Sequence, residues 1–288
     1  MAEKSDLWRN GKKHQRRCYA PLTVAEGMAR VVITGSAGLI GGIVYDMLRT
    51  QGDEVVGIDR PHDERIARGR NVDDEEAYSR LDLSGDLAKV DLGTLTDWFT
   101  GADSVIHLAA DADPSNISRS MLETNIGSTQ NVLRAACKAR VKRVILASSG
   151  LAQVTLEKHL EKQRLIGGEQ GVGIDSPYGL TKIIGEVLGR SYANQYGLDV
   201  VSVRIGTVIP DDEEHNRRGG RLMATAFLQE DVRRFFKAVL VADLSSCNGH
   251  LITAAQSDSP TRFIDLEPGI STLGWKPVEW PFVTTEEV

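Results

Sequence analysis

From Ala29 onward the apolar residues follow two alternating rhythms. "ARVVITG" is a short β-branched run ending in glycine, the pattern of a strand covered on both faces. "LIGGIVYDMLRTQG" follows with helical spacing and a terminal glycine. "DEVVGIDR" and "YSRLDLS" predict the second and third strands. "DLGTLTDWFTG" predicts a helix and "ADSVIHLAA" a fourth strand. Two long helical patterns, "SMLETNIGSTQNVLRAACKARV" and "SPYGLTKIIGEVLGRSYANQYG", precede the strands "KRVILASS" and "LDVVSVRIGTVIP". Strands alternating with helices imply right-handed crossovers and a parallel, doubly wound α/β sheet, which binds ligands at the carboxyl ends of its strands. From Asp211 the alternation weakens. Residues 211–288 are expected to form a small substrate-binding lobe beside the sheet, with a helix at "QEDVRRFFKAVLVAD" and a strand at "HLITAA".

Composition narrows the class. The chain has 288 residues, 41% hydrophobic and 26% charged, a globular balance. A net charge of −6 argues against a nucleic-acid partner. Cys18, Cys137 and Cys247 are odd in number and widely spaced, so neither a disulfide framework nor a metal site is expected. A reducing, cytoplasmic setting follows. No apolar run reaches the roughly 18 residues of a membrane span. Residues 1–27 are polar and basic without an apolar stretch, which predicts a disordered extension rather than a secretory signal.

"VVITGSAGLIGG" places Gly35, Gly38 and Gly41 at a strand-to-helix turn, with Leu39 and Ile40 opening the helix. Such glycines allow the tight turn, the approach of backbone N–H groups to a pyrophosphate, and close helix–strand packing. Residues 28–210 are therefore expected to form a Rossmann-type dinucleotide-binding domain. Asp59 ends the second strand, where a carboxylate accepts from adenosine ribose hydroxyls and repels a 2′-phosphate, favouring NAD over NADP. Arg60, Arg65, Arg68 and Arg70 follow and soften that preference. Asp82 and Leu83 are candidates for the adenine edge. Leu108, Ala109 and Ala110 end the fourth strand, where small residues admit the cofactor. His107, within that apolar strand, reads as a buried, hydrogen-bonded side chain rather than a ligand. Asn125 is a polar residue in a helical pattern and a candidate for a hydrogen bond near the cofactor.

A nicotinamide moves hydride, and an alcohol carbon then needs a partner that moves the hydroxyl proton. Tyr178 and Lys182 stand four residues apart, stacked on one helix face. A phenol ordinarily titrates near 10, and a neighbouring ammonium favours its ionised form. Ser148 and Ser149 end the fifth strand, and Ser149 is the better candidate to hold a substrate oxygen.

"TGSAGLIG", "HLAA", "ASSG" and "YGLTK", in this order, resemble the extended short-chain dehydrogenase/reductase family, the NAD-dependent epimerase/dehydratase group. The resemblance spans about residues 29–210. It implies a catalytic set at Ser149, Tyr178 and Lys182, Asn125 near the nicotinamide ribose, and Ile205 beside the nicotinamide. "VRIGTVIP", "RLMATAFLQEDVRRFFKAVL" and "LGWKP" are similar to the short uronate dehydrogenase-like branch, whose members oxidise a sugar at its anomeric carbon with NAD. That branch holds the sugar's acidic group with an arginine, which matches Arg221 here. The chain departs from it after the serine pair. Gly150 and Leu151, at a position expected to contact substrate, replace an Asn-His, and a charged insertion follows. The loss of those polar partners counts against uronate itself.

The leading expectation is an NAD-dependent oxidoreductase acting on a CH–OH group of a small sugar, sugar acid or sugar phosphate. A nucleotide-sugar epimerase or dehydratase that retains NAD, and a dinucleotide-binding sensor without turnover, are the alternatives. The two long helical segments are expected to build a homodimer or higher homo-oligomer.

Overall fold

The computed structural model describes residues 28–61, 79–159, 165–167, 171–208 and 220–281. The expected extension at 1–27, Arg65, Arg68, Arg70 and much of the charged insertion lie outside the described residues.

In β1 (Arg30–Thr34), Val31 and Ile33 pack into one apolar layer and Val32 into the other, the two-residue period of a strand covered on both faces. The chain then runs through α1 (Leu39–Gln51), β2 (Glu54–Asp59), β3 (Leu83–Ser84), α2 (Leu92–Phe99) and β4 (Ser104–His107). It continues through α3 (Arg119–Ala139), β5 (Arg143–Ser149), α4 (Pro177–Tyr196) and β6 (Asp199–Ile205). After β7 (Thr207–Val208) come α5 (Gly220–Ala224), β8 (Ala226–Phe227), α6 (Gln229–Val241), β9 (His250–Ala255) and α7 (Glu267–Leu273).

Seven strands form one sheet in the order β3-β2-β1-β4-β5-β6-β9, with every neighbouring pair parallel. Strand order reverses between β1 and β4, and that reversal opens a crevice at their carboxyl ends. The helices are bounded by local chemistry. Asp91 caps α2 by accepting from the Thr94 N–H at 3.0 Å, and Ser176 caps α4 through the Gly179 N–H at 3.3 Å. Pro177 opens α4 and Gly197, at φ +70°, ends it. α1 has no side-chain cap, so Gly38 leaves its first N–H groups open to the crevice.

The expected division at residue 211 is corrected in part. β9 is not part of a separate lobe. It pairs with β6 from Val200↔His250 to Ile205↔Ala255 and extends the main sheet. α6 covers that sheet, setting Phe235 and Phe236 into the layer that holds Val44, Met47 and Leu48 of α1. Outside the main sheet stand the β7–β8 ladder, α5 and the Ile166–Ile264 bridge, yet Phe227 of β8 packs into the main apolar layer and the Ile166 cluster rests on Ala254 of β9. The expected sixth strand is also broken in two. A Cβ at Gly206 would lie 2.3 Å from the Thr225 carbonyl oxygen, so the chain turns there into the second ladder.

Candidate active site

The glycine turn closes tightly on the switch point. Gly35 sits at φ +79°, and its N–H donates to the Ile58 carbonyl at 2.7 Å. A Cβ on Gly35 would meet the Ala109 nitrogen at 2.8 Å, and one on Gly41 would meet the Gly35 carbonyl oxygen at 2.1 Å. Only glycine lets β1, α1 and the end of β4 approach so closely. A cleft of about 400 Å³ opens here, lined by Gly35, Gly38, Asp59, Leu108, Ala109 and Ala110 among others. Its backbone N–H groups at an uncapped helix start suit an anion such as a pyrophosphate. Leu39 and Ile40 belong to the first turn of α1 beside this opening.

Asp59 steadies the turn while facing the cleft. Its Oδ2 accepts from the Ala37 N–H at 3.1 Å and its Oδ1 from the Arg60 N–H at 2.7 Å. Asp82 is not brought to the cleft. Its Oδ2 accepts from the Gly57 N–H at 2.7 Å and from the Tyr45 hydroxyl at 3.5 Å, turning the side chain back onto β2 and α1. Leu83, in β3, does not line the cleft either. Gly85, Asp86 and Leu87 take that position. Burial pushes the Asp86 carboxyl up, but hydrogen bonds from the Ala88 N–H and Lys89 outweigh it and hold it below the usual carboxylate range.

At the end of β4, His107 is buried and fully hydrogen-bonded. Thr129 donates its hydroxyl to the Asn125 carbonyl at 2.8 Å, so its oxygen accepts from His107 Nε2–H at 3.3 Å. Nδ1 then accepts from the Thr34 hydroxyl at 2.8 Å. Burial, and after it the Lys182 charge, lower the His107 pKa to about 3. An unfolded histidine titrates near 6.5, so the unfolded chain takes up this proton first. The stability His107 contributes is complete above that value and is lost as pH falls from it toward 3. Unfolding free energy measured at about pH 5 is expected to be about 2 kcal/mol lower than at about pH 8 from this residue. His107→Phe should flatten that slope, and an unchanged slope would contradict the assignment.

α4 runs along the carboxyl half of β5. Glu186 accepts from the Ser148 hydroxyl at 2.6 Å, and one turn earlier Lys182 Nζ donates to the Ala147 carbonyl at 2.9 Å. A further turn back, a Cβ on Gly179 would lie 2.9 Å from the Leu151 carbonyl oxygen. Tyr178, buried at the helix start, has Lys182 Nζ 5.3 Å from its ring centroid. Ser149 stands opposite Ile205 in register, and a Cβ on Gly150 would lie 3.8 Å from the Ile205 carbonyl oxygen. The Ser149 Oγ accepts from the Leu151 N–H at 3.2 Å, which shapes the turn and leaves its proton to donate. Lys182 also borders a water-sized pocket with His107, Ala109, Ala110 and Asn125. Asn125 is buried and engaged. Its Oδ1 accepts from the Asp111 N–H, and its Nδ2 donates to the Asp111 carbonyl and to Thr181.

Arg221 is occupied. Its guanidinium forms a two-pronged pair with Glu157, both bonds at 2.8 Å. Sequence spacing marks neither Glu157 nor the buried Glu186–Arg204 pair. The charged insertion marked the first only as a region, and the acid inside an apolar helix face was the one available signal for the second. Among the described residues no group of three or more His, Cys, Asp or Glu is placed to hold a metal. No helix there is long and apolar enough to cross a membrane.

Comparison with known proteins agrees with this architecture. The chain is 27% identical to the L-arabinose 1-dehydrogenase (NAD(P)(+)) of Haloferax volcanii over 87% of this chain and 96% of that one. It is 29% identical to the uronate dehydrogenase of Pseudomonas putida over 82% and 79%. The glucuronic acid dehydrogenase structure from Chromohalobacter salexigens superposes with a TM-score of 0.70 at 25% identity, covering 90% of this chain and 86% of that one. Residues 31–241 match the NAD dependent epimerase/dehydratase family. A seven-stranded parallel sheet with a glycine turn at its switch point is the framework such a match requires, and this chain belongs to that family.

Proposed function

We propose that this chain is an NAD-dependent oxidoreductase that oxidises a CH–OH group of a small sugar, with Tyr178 as the acid/base. The observation that carries this is the course of α4. Lys182 and Glu186 fix that helix to the carboxyl end of β5 at Ala147 and Ser148. Tyr178 is thereby held one turn ahead, on the same edge of the sheet as the glycine turn. The similarity to sugar dehydrogenases over most of the chain supports the same reading.

Bound NAD supplies the hydride acceptor. The Gly35–Gly41 turn would hold its pyrophosphate, Asp59 would accept from its adenosine ribose, and Asp86 with Leu87 would border the adenine side. Leu108, Ala109 and Ala110 would leave room for it along the cleft, with Ile205 toward its nicotinamide end. Asn125 acts from behind, by fixing the Asp111 backbone and α4. Ser149 donates its hydroxyl proton to the substrate oxygen, and Gly150 leaves space beside it. Tyr178 takes the proton from the hydroxyl undergoing oxidation. The Lys182 ammonium, against the Tyr178 ring, stabilises negative charge developing there.

The cofactor preference tests this assignment. Asp59→Ala should raise the KM for NAD about tenfold and leave NADP less affected, measured by initial rates with each cofactor. An unchanged preference would remove Asp59 from the ribose site. The chain works in the cytoplasm as a homodimer through the outer faces of α3 and α4, where Leu180 and Val187 are exposed two turns apart. Light scattering that gives the mass of one copy contradicts the dimer.

A further inference from the structure

Three segments meet beyond the carboxyl ends of β5 and β6. Glu157 lies on a 3₁₀ turn (Val154–His159) that follows Ser149 by a few residues. This turn is tied to the approach to α4, since the Thr155 N–H donates to the Gly173 carbonyl and the Gly173 N–H to the Ala152 carbonyl. Arg221 lies on α5. Its carbonyl accepts from the Thr225 N–H, and the Thr225 carbonyl accepts from the Thr207 N–H, two residues past Ile205. Asp175 directly precedes the cap of α4, three residues before Tyr178.

Arg221 Nε and Nη2 meet the two oxygens of Glu157 side by side, both at 2.8 Å, the strongest arrangement such a pair has. The Glu157 side chain is only 16% exposed, against 47% for Arg221. The Glu157 hydrogen bond holds the Arg221 pKa above its ordinary value, against burial and with further help from the charges of Glu157 and Asp175. The charge Arg221 would offer an acidic ligand is therefore already compensated by the protein.

We propose that Glu157 sets the charge of the substrate: by occupying Arg221 it makes this chain oxidise neutral aldoses and exclude sugars bearing a carboxylate or phosphate. This rests on the sugar-oxidoreductase reading above. An acidic sugar reaching Arg221 has to displace Glu157, leaving a shielded carboxylate unpaired. If it does not, its charge sits beside those of Glu157 and Asp175, and such like-charge contacts are how sites reject a competitor. A neutral polyol meets neither cost.

Glu157→Gln tests this in the full chain. Glutamine keeps the size and one acceptor for Arg221 and removes the charge. Two quantities are measured: kcat/KM for L-arabinose and for D-galacturonate with NAD, and the Tm shift caused by D-galacturonate without NAD. The wild type should favour arabinose. The variant should raise the galacturonate-to-arabinose ratio about tenfold or more and gain a Tm shift with galacturonate that the wild type lacks. Adding Arg221→Gln to the variant should abolish that gain. If the wild type oxidises arabinose and the variant changes neither ratio nor Tm shift, Glu157 does not set substrate charge. A wild type that prefers galacturonate overturns the inference as well. Failure of the wild type to oxidise either sugar would overturn the sugar reading with it.

Discussion

Tyr178→Phe should lower kcat by about 10²–10⁴-fold while NAD binding and Tm stay close to those of the wild type. The change removes one hydroxyl. The ring remains buried against Lys182, because a phenylalanine ring offers the ammonium a comparable face at 5.3 Å. The α4 cap at Ser176 and the anchors at Ala147 and Ser148 do not involve the hydroxyl, so the helix keeps its course. A fall in turnover with a preserved fold is therefore specific to proton transfer. Steady-state rates, paired with a thermal melt, separate the two. Turnover near that of the wild type would remove Tyr178 from the chemistry.

Glu186→Ala should cost about 3–5 kcal/mol of stability. Glu186 and Arg204 are each only 4% exposed. Arg204 Nε and Nη2 donate to the two carboxylate oxygens at 2.9 Å, and Ser148 donates to one of them at 2.6 Å. Alanine leaves the guanidinium buried without its counter-charge. The apolar double change Glu186→Leu with Arg204→Met should recover most of the loss, because it removes both charges together. Urea unfolding measures both. A single variant as stable as the wild type would mean that this network does not clasp α4 to β5 and β6.

The parts of the fold that were legible share a cause. A strand covered on both faces must be apolar and β-branched throughout, so β1, β4 and β5 stand out as continuous runs. The glycine turn was legible because its backbone contacts admit no other residue. β9 was found as a strand but assigned to a lobe. Its partner β6 lies far away in sequence, and no local pattern records that pairing. Asp86 borders the cleft while Asp82 turns back onto β2 and α1, a difference that local spacing does not report because β3 is only two residues long and leaves almost no periodicity to fix its register. Arg221 was singled out as a cation, yet its partner is 64 residues away on a turn without a motif. Local spacing reports that a charged side chain has a place on an element. It does not report which distant charge has already claimed it.

The measurement closest to the central claim is cofactor reduction by the purified full chain, followed by absorbance, with neutral aldoses and uronates offered in parallel with NAD. Sustained NAD reduction is expected with at least one sugar, faster for a neutral aldose, and it should be lost in Tyr178→Phe. No reduction with any sugar, or equal rates in wild type and Tyr178→Phe, would contradict that claim.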